Sequence, residues 1–226
     1  MNKEIITFSR DNLLPYARAA FARSCGLDSD SSKHKRMAEL SERVLFDIFE
    51  QLCPVAIVSA LGCDSLRGDR IISEEYSFIC PLFSSFKTKK VRNIYAFMLT
   101  VGEVQASLSG ITATVFADMW ATVFCDAAVD SLKDMFNVST TIYPGFYGLE
   151  LNSMPLLSKL LDSGRIGISV CEPGFVMSPV KSCGGFMFDT KQTLSLPEND
   201  CETCMANKHW CIVCKNSRYA KQKFIA

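Results

Sequence analysis

The sequence predicts an α+β domain, in which a twisted mixed or antiparallel sheet carries long helices packed on it. Three observations lead there. Segments 32–52 and 111–136 repeat their apolar residues at helical spacing. Short apolar runs at 55–60, 94–101 and 182–188, bounded by Gly, Pro or charge, have the character of strands. Helices and strands alternate at irregular intervals, which fits an α+β chain better than a regular doubly wound one.

The first helix is placed at 11–25, where Leu13, Leu14, Ala17, Ala20 and Phe21 share a face, Asp11 or Asn12 caps the start, and Gly26 ends it. A polar loop, Asp28 to Ser32, supplies the next cap. Over 32–52, Met37, Leu40, Val44, Leu45, Ile48, Phe49 and Leu52 form one stripe, with Lys33, Arg36, Glu39, Glu42 and Arg43 elsewhere. Pro54 stops that helix before the strand 55–60.

The region 63–92 is less regular, with short strands at Ile71–Ile72 and Tyr76–Cys80. Its basic run, Lys87, Lys89, Lys90 and Arg92, reads as a solvated turn. The unbroken apolar run Ile94–Val101 predicts a strand buried on both faces. Segment 111–136 is the central core helix, its aromatic residues Phe116, Trp120 and Phe124 facing inward. A Pro/Gly loop spans Thr140–Asn152. A short helix follows over 153–162, with Ser153 as cap, Pro155 in its first turn and Gly164 beyond its end. Strands are expected at Ile166–Cys171 and 182–188. The pair Gly184–Gly185 marks a bulge or a close backbone approach.

Length and composition bound the function. At 226 residues the chain suits one large domain. Its 48% hydrophobic and 21% charged residues exclude a disordered chain. Lys+Arg and Asp+Glu are both 24, so the surplus of cations that a broad nucleic-acid footprint requires is missing. Asp118, Asp126 and Asp130 interrupt the most apolar stretch, and the start MNKEIITFSRD has no apolar leader segment. A cytoplasmic protein with neither a membrane nor a nucleic-acid partner is the expectation.

Eleven cysteines in such a compartment point to metal or redox chemistry rather than to a disulfide framework. The strongest chemical signal is Cys201-x2-Cys204-x6-Cys211-x2-Cys214, two CxxC knuckles whose four soft thiolates suit zinc or an iron–sulfur cluster. His209 lies in the spacer and offers an alternative ligand. Lys208, Lys215 and Arg218 favour the thiolate forms. Free or reversibly oxidised thiols are the other reading. The chain divides into a body, 1–196, and a Cys-rich metal-binding tail, 197–226. Cys25, Cys53, Cys63, Cys80 and Cys125 read as small hydrophobes. Cys171 and Cys183, on strands expected to be adjacent, are further ligand candidates.

The loop TIYPGFYG, with Tyr143, Pro144, Gly145 and Phe146, is the second signal. It reads either as a structural turn or as a place where a ligand approaches glycine backbone beside aromatic rings. No nucleophile–base–carboxylate set and no phosphate-binding glycine loop are legible.

The stretch TTIYPGFYGLELNSMPLLSKLLDSGRIGISVCEPGFVMSPVKSCGGFMF resembles the activation domain of cobalamin-dependent methionine synthase, above all its short stand-alone bacterial relatives. The family's R-x-x-P-G-Y loop corresponds to the segment holding Pro144–Gly145. Its helix, its strand ending in Glu, its Met-x-Pro and its small-residue strand correspond to 153–162, Glu172, Met177–Pro179 and Lys181–Ser182. The resemblance implies a groove for S-adenosylmethionine, formed here by Tyr143, Pro144, Gly145 and Phe146. It also implies a partner, a cobalamin-binding methyltransferase or corrinoid protein, that is reductively activated by presentation of that methyl donor, by electron delivery, or by both. The family's acidic residue in the long helix falls on Asp126. Its loop arginine falls on Thr141 and its loop tyrosine on Phe146, so the guanidinium that would grip a carboxylate is absent. The alternative is therefore a non-enzymatic, metal-stabilised interaction module that has lost S-adenosylmethionine binding. A weaker third reading is a thiol redox sensor.

Overall fold

The computed structural model describes residues 2–25, 32–89, 91–138 and 140–190. The tail with Cys201, Cys204, Cys211 and Cys214, and the boundary expected at 196/197, lie outside the described residues. In chain order the elements are strand β1 (Lys3–Thr7), helices α1 (Arg10–Cys25) and α2 (Ser32–Ile48), and strand β2 (Val55–Ala60). Three short strands follow, β3 (Leu66–Arg67), β4 (Arg70–Ser73) and β5 (Tyr76–Ile79), then a 3-10 stretch, Pro81–Lys89. The long strand β6 (Val91–Thr100) leads to helix α3 (Ile111–Phe136) and strand β7 (Thr140–Ile142). Helix α4 (Ser153–Leu161) and strands β8 (Ser169–Cys171), β9 (Val176–Ser178) and β10 (Ser182–Thr190) complete the chain.

The main sheet runs β1-β2-β6-β10-β7, and all pairings among the described strands are antiparallel. Its central strand β6 shows why an unbroken apolar run forms here. Successive side chains leave a strand on opposite faces, and both faces are covered. Phe97 and Leu99 pack with α1, α2 and α3. Ile94, Ala96 and Met98 pack with α4 and the β4–β5 hairpin. The neighbours keep the same register: Val58 lies opposite Phe97, and Ile57 opposite Met98.

On the first face, α3 is the central helix. Its length and composition would suffice to cross a membrane, but its apolar residues pack into the core beside α1 and α2. Trp120 is 1% exposed and stacks on Phe21 of α1, with ring centroids 3.9 Å apart. Its Nε1–H donates to the Ser41 carbonyl of α2 at 2.9 Å, so one side chain ties three helices together. Asn137 ends α3 in the left-handed region at φ +51°, a conformation asparagine tolerates, and its N–H donates back to Asp134.

The expected close approach at Gly184–Gly185 is present. A Cβ on Gly185 would collide with the Ile142 carbonyl of β7, and one on Gly184 would lie 2.8 Å from Met98 Cγ. The strand's irregularity falls elsewhere, between Asp189 and Thr190.

Several expectations are corrected. Helix α2 stops at Ile48, and a 3-10 turn, Phe49–Gln51, replaces its expected end. The strand expected over Ile166–Cys171 is a 3-10 turn, Ser163–Ile166, followed by β8, with Gly167 at φ +76° between them. β8 pairs with β9 in a separate two-stranded ribbon, so Cys171 and Cys183 do not sit on adjacent strands. Ser153 does not cap α4. Asn152 holds the cap position, and its Nδ2 donates to Glu150 Oε2 at 2.8 Å instead of to the helix. Within the basic run, Arg92 is committed to structure: its Nε and Nη2 both donate to Asp189 Oδ1.

Candidate functional site

Four elements meet around Tyr143. β7 delivers Thr141, and the turn after it carries Tyr143 to Phe146. β10, paired with β7, brings Cys183 alongside. α3 supplies Cys125 and, one residue on, Asp126.

The turn is built by its own hydrogen bonds. Gly145 N–H donates to the Leu149 carbonyl at 2.6 Å, Phe146 N–H to Tyr143 at 3.1 Å, and Leu149 N–H to Phe146 at 2.9 Å. Gly145 sits at φ +93°, and a Cβ there would lie 3.1 Å from Leu151 Cδ2. The positive φ is what calls for glycine here, since the exposed Leu151 side chain could shift to admit a Cβ. Pro144 and Gly145 are buried, whereas Tyr143 and Phe146 are half-buried. The Tyr143 ring meets Phe97 edge-on at 6.1 Å and Phe146 at 6.5 Å between centroids. Of the four loop residues expected to line a site, the two rings thus reach the surface, while Pro144 and Gly145 shape the turn beneath them.

The electrostatics are those of a half-buried phenol beside solvent-exposed carboxylates. Burial raises the Tyr143 phenol far above its ordinary range, and Cys183, Asp126, Cys125 and Asp130 add to the shift, so the hydroxyl remains protonated and able to donate. The Asp126 carboxyl is raised by desolvation first and by Asp130 second, with Lys133 and Lys181 opposing. Asp126 keeps solvent contact, which screens these effects. Lys181 Nζ lies 2.8 Å from Asp118 Oδ1.

Two features were not legible in the sequence. Thr141 Oγ1 is buried with no hydrogen-bond partner, the one such side-chain atom among the described residues. Such an atom ordinarily finds a partner, so its lack of one marks a place where a ligand group or water would be held. Cys125 Sγ lies 3.7 Å from Cys183 Sγ, a contact between residues 58 apart in sequence. No spacing rule announces such a pair.

Glu172, Glu150 and Lys159 instead line a separate cleft of about 620 Å³ between β5, α4 and the β8–β9 turn, on the other side of the loop at Gly148. No group of three or more His, Cys, Asp or Glu that could hold a metal ion occurs among the described residues.

No family model matches the sequence, and no curated protein sequence is similar to it. Among solved structures, the crystal structure of the MetH reactivation domain bound to AdoHcy is similar, with a TM-score of 0.63 at 14% identity, covering 87% of this chain and 81% of that one. The chain has the α+β fold of the MetH reactivation domain.

Proposed function

We propose that the chain is a reactivation module for a cobalamin-dependent methyltransferase or corrinoid protein and that it presents S-adenosylmethionine from the groove around Tyr143. The observation that carries the reading is the fold match to a reactivation domain bound to AdoHcy. Fold alone does not assign function, so the residues must also suit the donor. They suit most of it. The Asp126 carboxylate takes the ammonium group. Tyr143 and Phe146 offer aromatic faces to a purine, and the protonated Tyr143 hydroxyl donates a hydrogen bond. Thr141 Oγ1 is a polar atom waiting for a partner. When bound, S-adenosylmethionine supplies a sulfonium methyl group; the chain's own part is to bind and orient it.

The sequence resemblance points to the same groove, since its loop and acidic positions fall on Pro144–Gly145 and Asp126. Calorimetric titration of S-adenosylmethionine and of AdoHcy into the full chain tests the proposal. Saturable binding at one site is expected, and the absence of heat with both defeats it.

One observation favours the second reading, an interaction module that no longer binds the donor. Position 141 is a buried threonine where the family carries a guanidinium, and a hydroxyl does not replace a bidentate fork. That reading predicts no heat with S-adenosylmethionine and no binding of a cobalamin-loaded partner.

For the tail we propose a four-thiolate centre at Cys201, Cys204, Cys211 and Cys214, on the strength of spacing alone. Metal analysis of anaerobically purified protein decides its nature. Iron with sulfide and visible absorbance would make it an electron donor, a colourless zinc-loaded protein a structural cap. A cytoplasmic location accords with this thiol chemistry.

A further inference from the structure

We propose that Cys125 and Cys183 form a redox-active dithiol, a modification site beside Tyr143 that closes to a disulfide between α3 and β10. The reasoning starts from their placement. Their sulfurs are 3.7 Å apart, within hydrogen-bonding reach of each other. A disulfide needs about 2.05 Å, so the sulfurs must approach by roughly 1.7 Å. Of the described cysteines, these two make the only thiol–thiol contact; Cys25 faces Met119 Sδ at 3.9 Å, and Cys80 donates to the Tyr147 carbonyl at 3.3 Å.

The surroundings separate this pair from ordinary core cysteines. Cys80 is enclosed by apolar side chains and is inert on that account. Cys183 is half-buried, packs against the edge of the core, and has Asp126, Lys133 and Tyr143 within electrostatic reach. Cys125 is buried and Cys183 only partly exposed, which hinders a bulky disulfide and leaves approach to an oxidant as small as a peroxide. The hydrogen bond with Cys125, then burial, holds the Cys183 thiol well above its ordinary value. The pair is thus a slow dithiol that needs a small, strong oxidant.

A hydroperoxide is the oxidant class that fits. One sulfur attacks a peroxide oxygen, the O–O bond breaks, and an S–OH group forms with release of water, or of an alcohol from an organic peroxide. The second sulfur attacks that sulfur, the S–O bond breaks, and the S–S bond forms with release of a second water. Two thiol hydrogens and two electrons leave the protein, and the peroxide is reduced. A dithiol reductant reverses the bond by exchange.

Closure would pin α3 to β10 in the neighbourhood of Tyr143. The bond is scored with no donor present, so the proposal stands or falls apart from the reading of the groove.

The experiment uses the full chain, fully reduced, desalted and then exposed to a small excess of hydrogen peroxide. Remaining thiols are alkylated, and the protein is digested without reductant and mapped by mass spectrometry. The expected product is a cross-linked pair of peptides containing Cys125 and Cys183, about 2 Da lighter than their sum and restored by dithiothreitol. A variant with Cys201, Cys204, Cys211 and Cys214 all changed to Ser keeps the cross-link, which excludes scrambling through the tail. Cys183→Ala loses it and leaves Cys125 alkylated; should that variant fail to fold, the map of the unaltered chain still decides. Recovery of both residues alkylated after oxidation, or their pairing with other cysteines instead, overturns the proposal.

Discussion

Asp126 is the residue on which the proposed donor site turns most sharply. A charged hydrogen bond to an ammonium group is worth roughly 1.5–3 kcal/mol. Asp126→Asn keeps the shape and removes the charge, so S-adenosylmethionine affinity should fall about tenfold or more by calorimetry, with the circular dichroism spectrum unchanged. The same carboxylate sets a pH dependence. Desolvation and then Asp130 raise its pKa above the ordinary 3.8, and only the ionised form holds the ammonium. Binding is therefore full at neutral pH and is lost on acidification, beginning at a higher pH than an ordinary aspartate would give. The Asp126→Asn variant should show no such loss over that window. Gly185 makes the matching structural prediction. A Cβ there meets the Ile142 backbone carbonyl, which cannot swing aside like a side chain. Gly185→Ala should cost about 1–3 kcal/mol or more in urea unfolding, by prying β7 from β10 and with it the turn that carries Tyr143. The need for glycine at this point was legible, because a Gly–Gly pair inside an apolar strand has few other uses. The Cys125–Cys183 contact and the orphaned Thr141 hydroxyl were not, because both depend on which residues distant in sequence fold together.

Among the elements, those with strong periodicity or an unbroken apolar run were read well, and the short ones were not. β2 and α3 lie where their patterns place them; β6 begins three residues before its pattern and ends one short of it, and β10 runs two residues beyond its own. A long buried element leaves a long signature. β7 has three residues inside a Pro/Gly loop, and β8 and β9 have three each, all too short for alternation to be visible. β1 was missed because its sequence, KEIIT, carries polar residues on a strand at the edge of the sheet. The end of α2 was overextended because Phe49 and Leu52 continue its stripe after the chain has tightened into a 3-10 turn. The helix layer hangs on Trp120, which stacks on Phe21 and hydrogen-bonds the Ser41 carbonyl. Trp120→Ala should destabilise the protein by about 3–5 kcal/mol, read by the urea midpoint, because both a large core volume and a buried partner are lost.

Across the whole molecule, the sheet has one face under α1, α2 and α3 and the other under α4 and the small hairpin. The proposed donor site draws on α3, β10 and the loop after β7, so no single segment contains it. Composition and spacing reached the fold class, but only the resemblance of the 140–188 region suggested what the fold is for. The proposed donor site is also where the sequence departs from the activation-domain pattern it resembles, at Thr141 and Phe146, and this makes donor binding the central question. The most direct measurement is titration calorimetry of S-adenosylmethionine into the reduced full chain at neutral pH, with Asp126→Asn alongside. Saturable binding at one site, weakened in the variant, is the predicted result. Absence of binding in the unaltered chain, or equal binding by both proteins, would contradict the account.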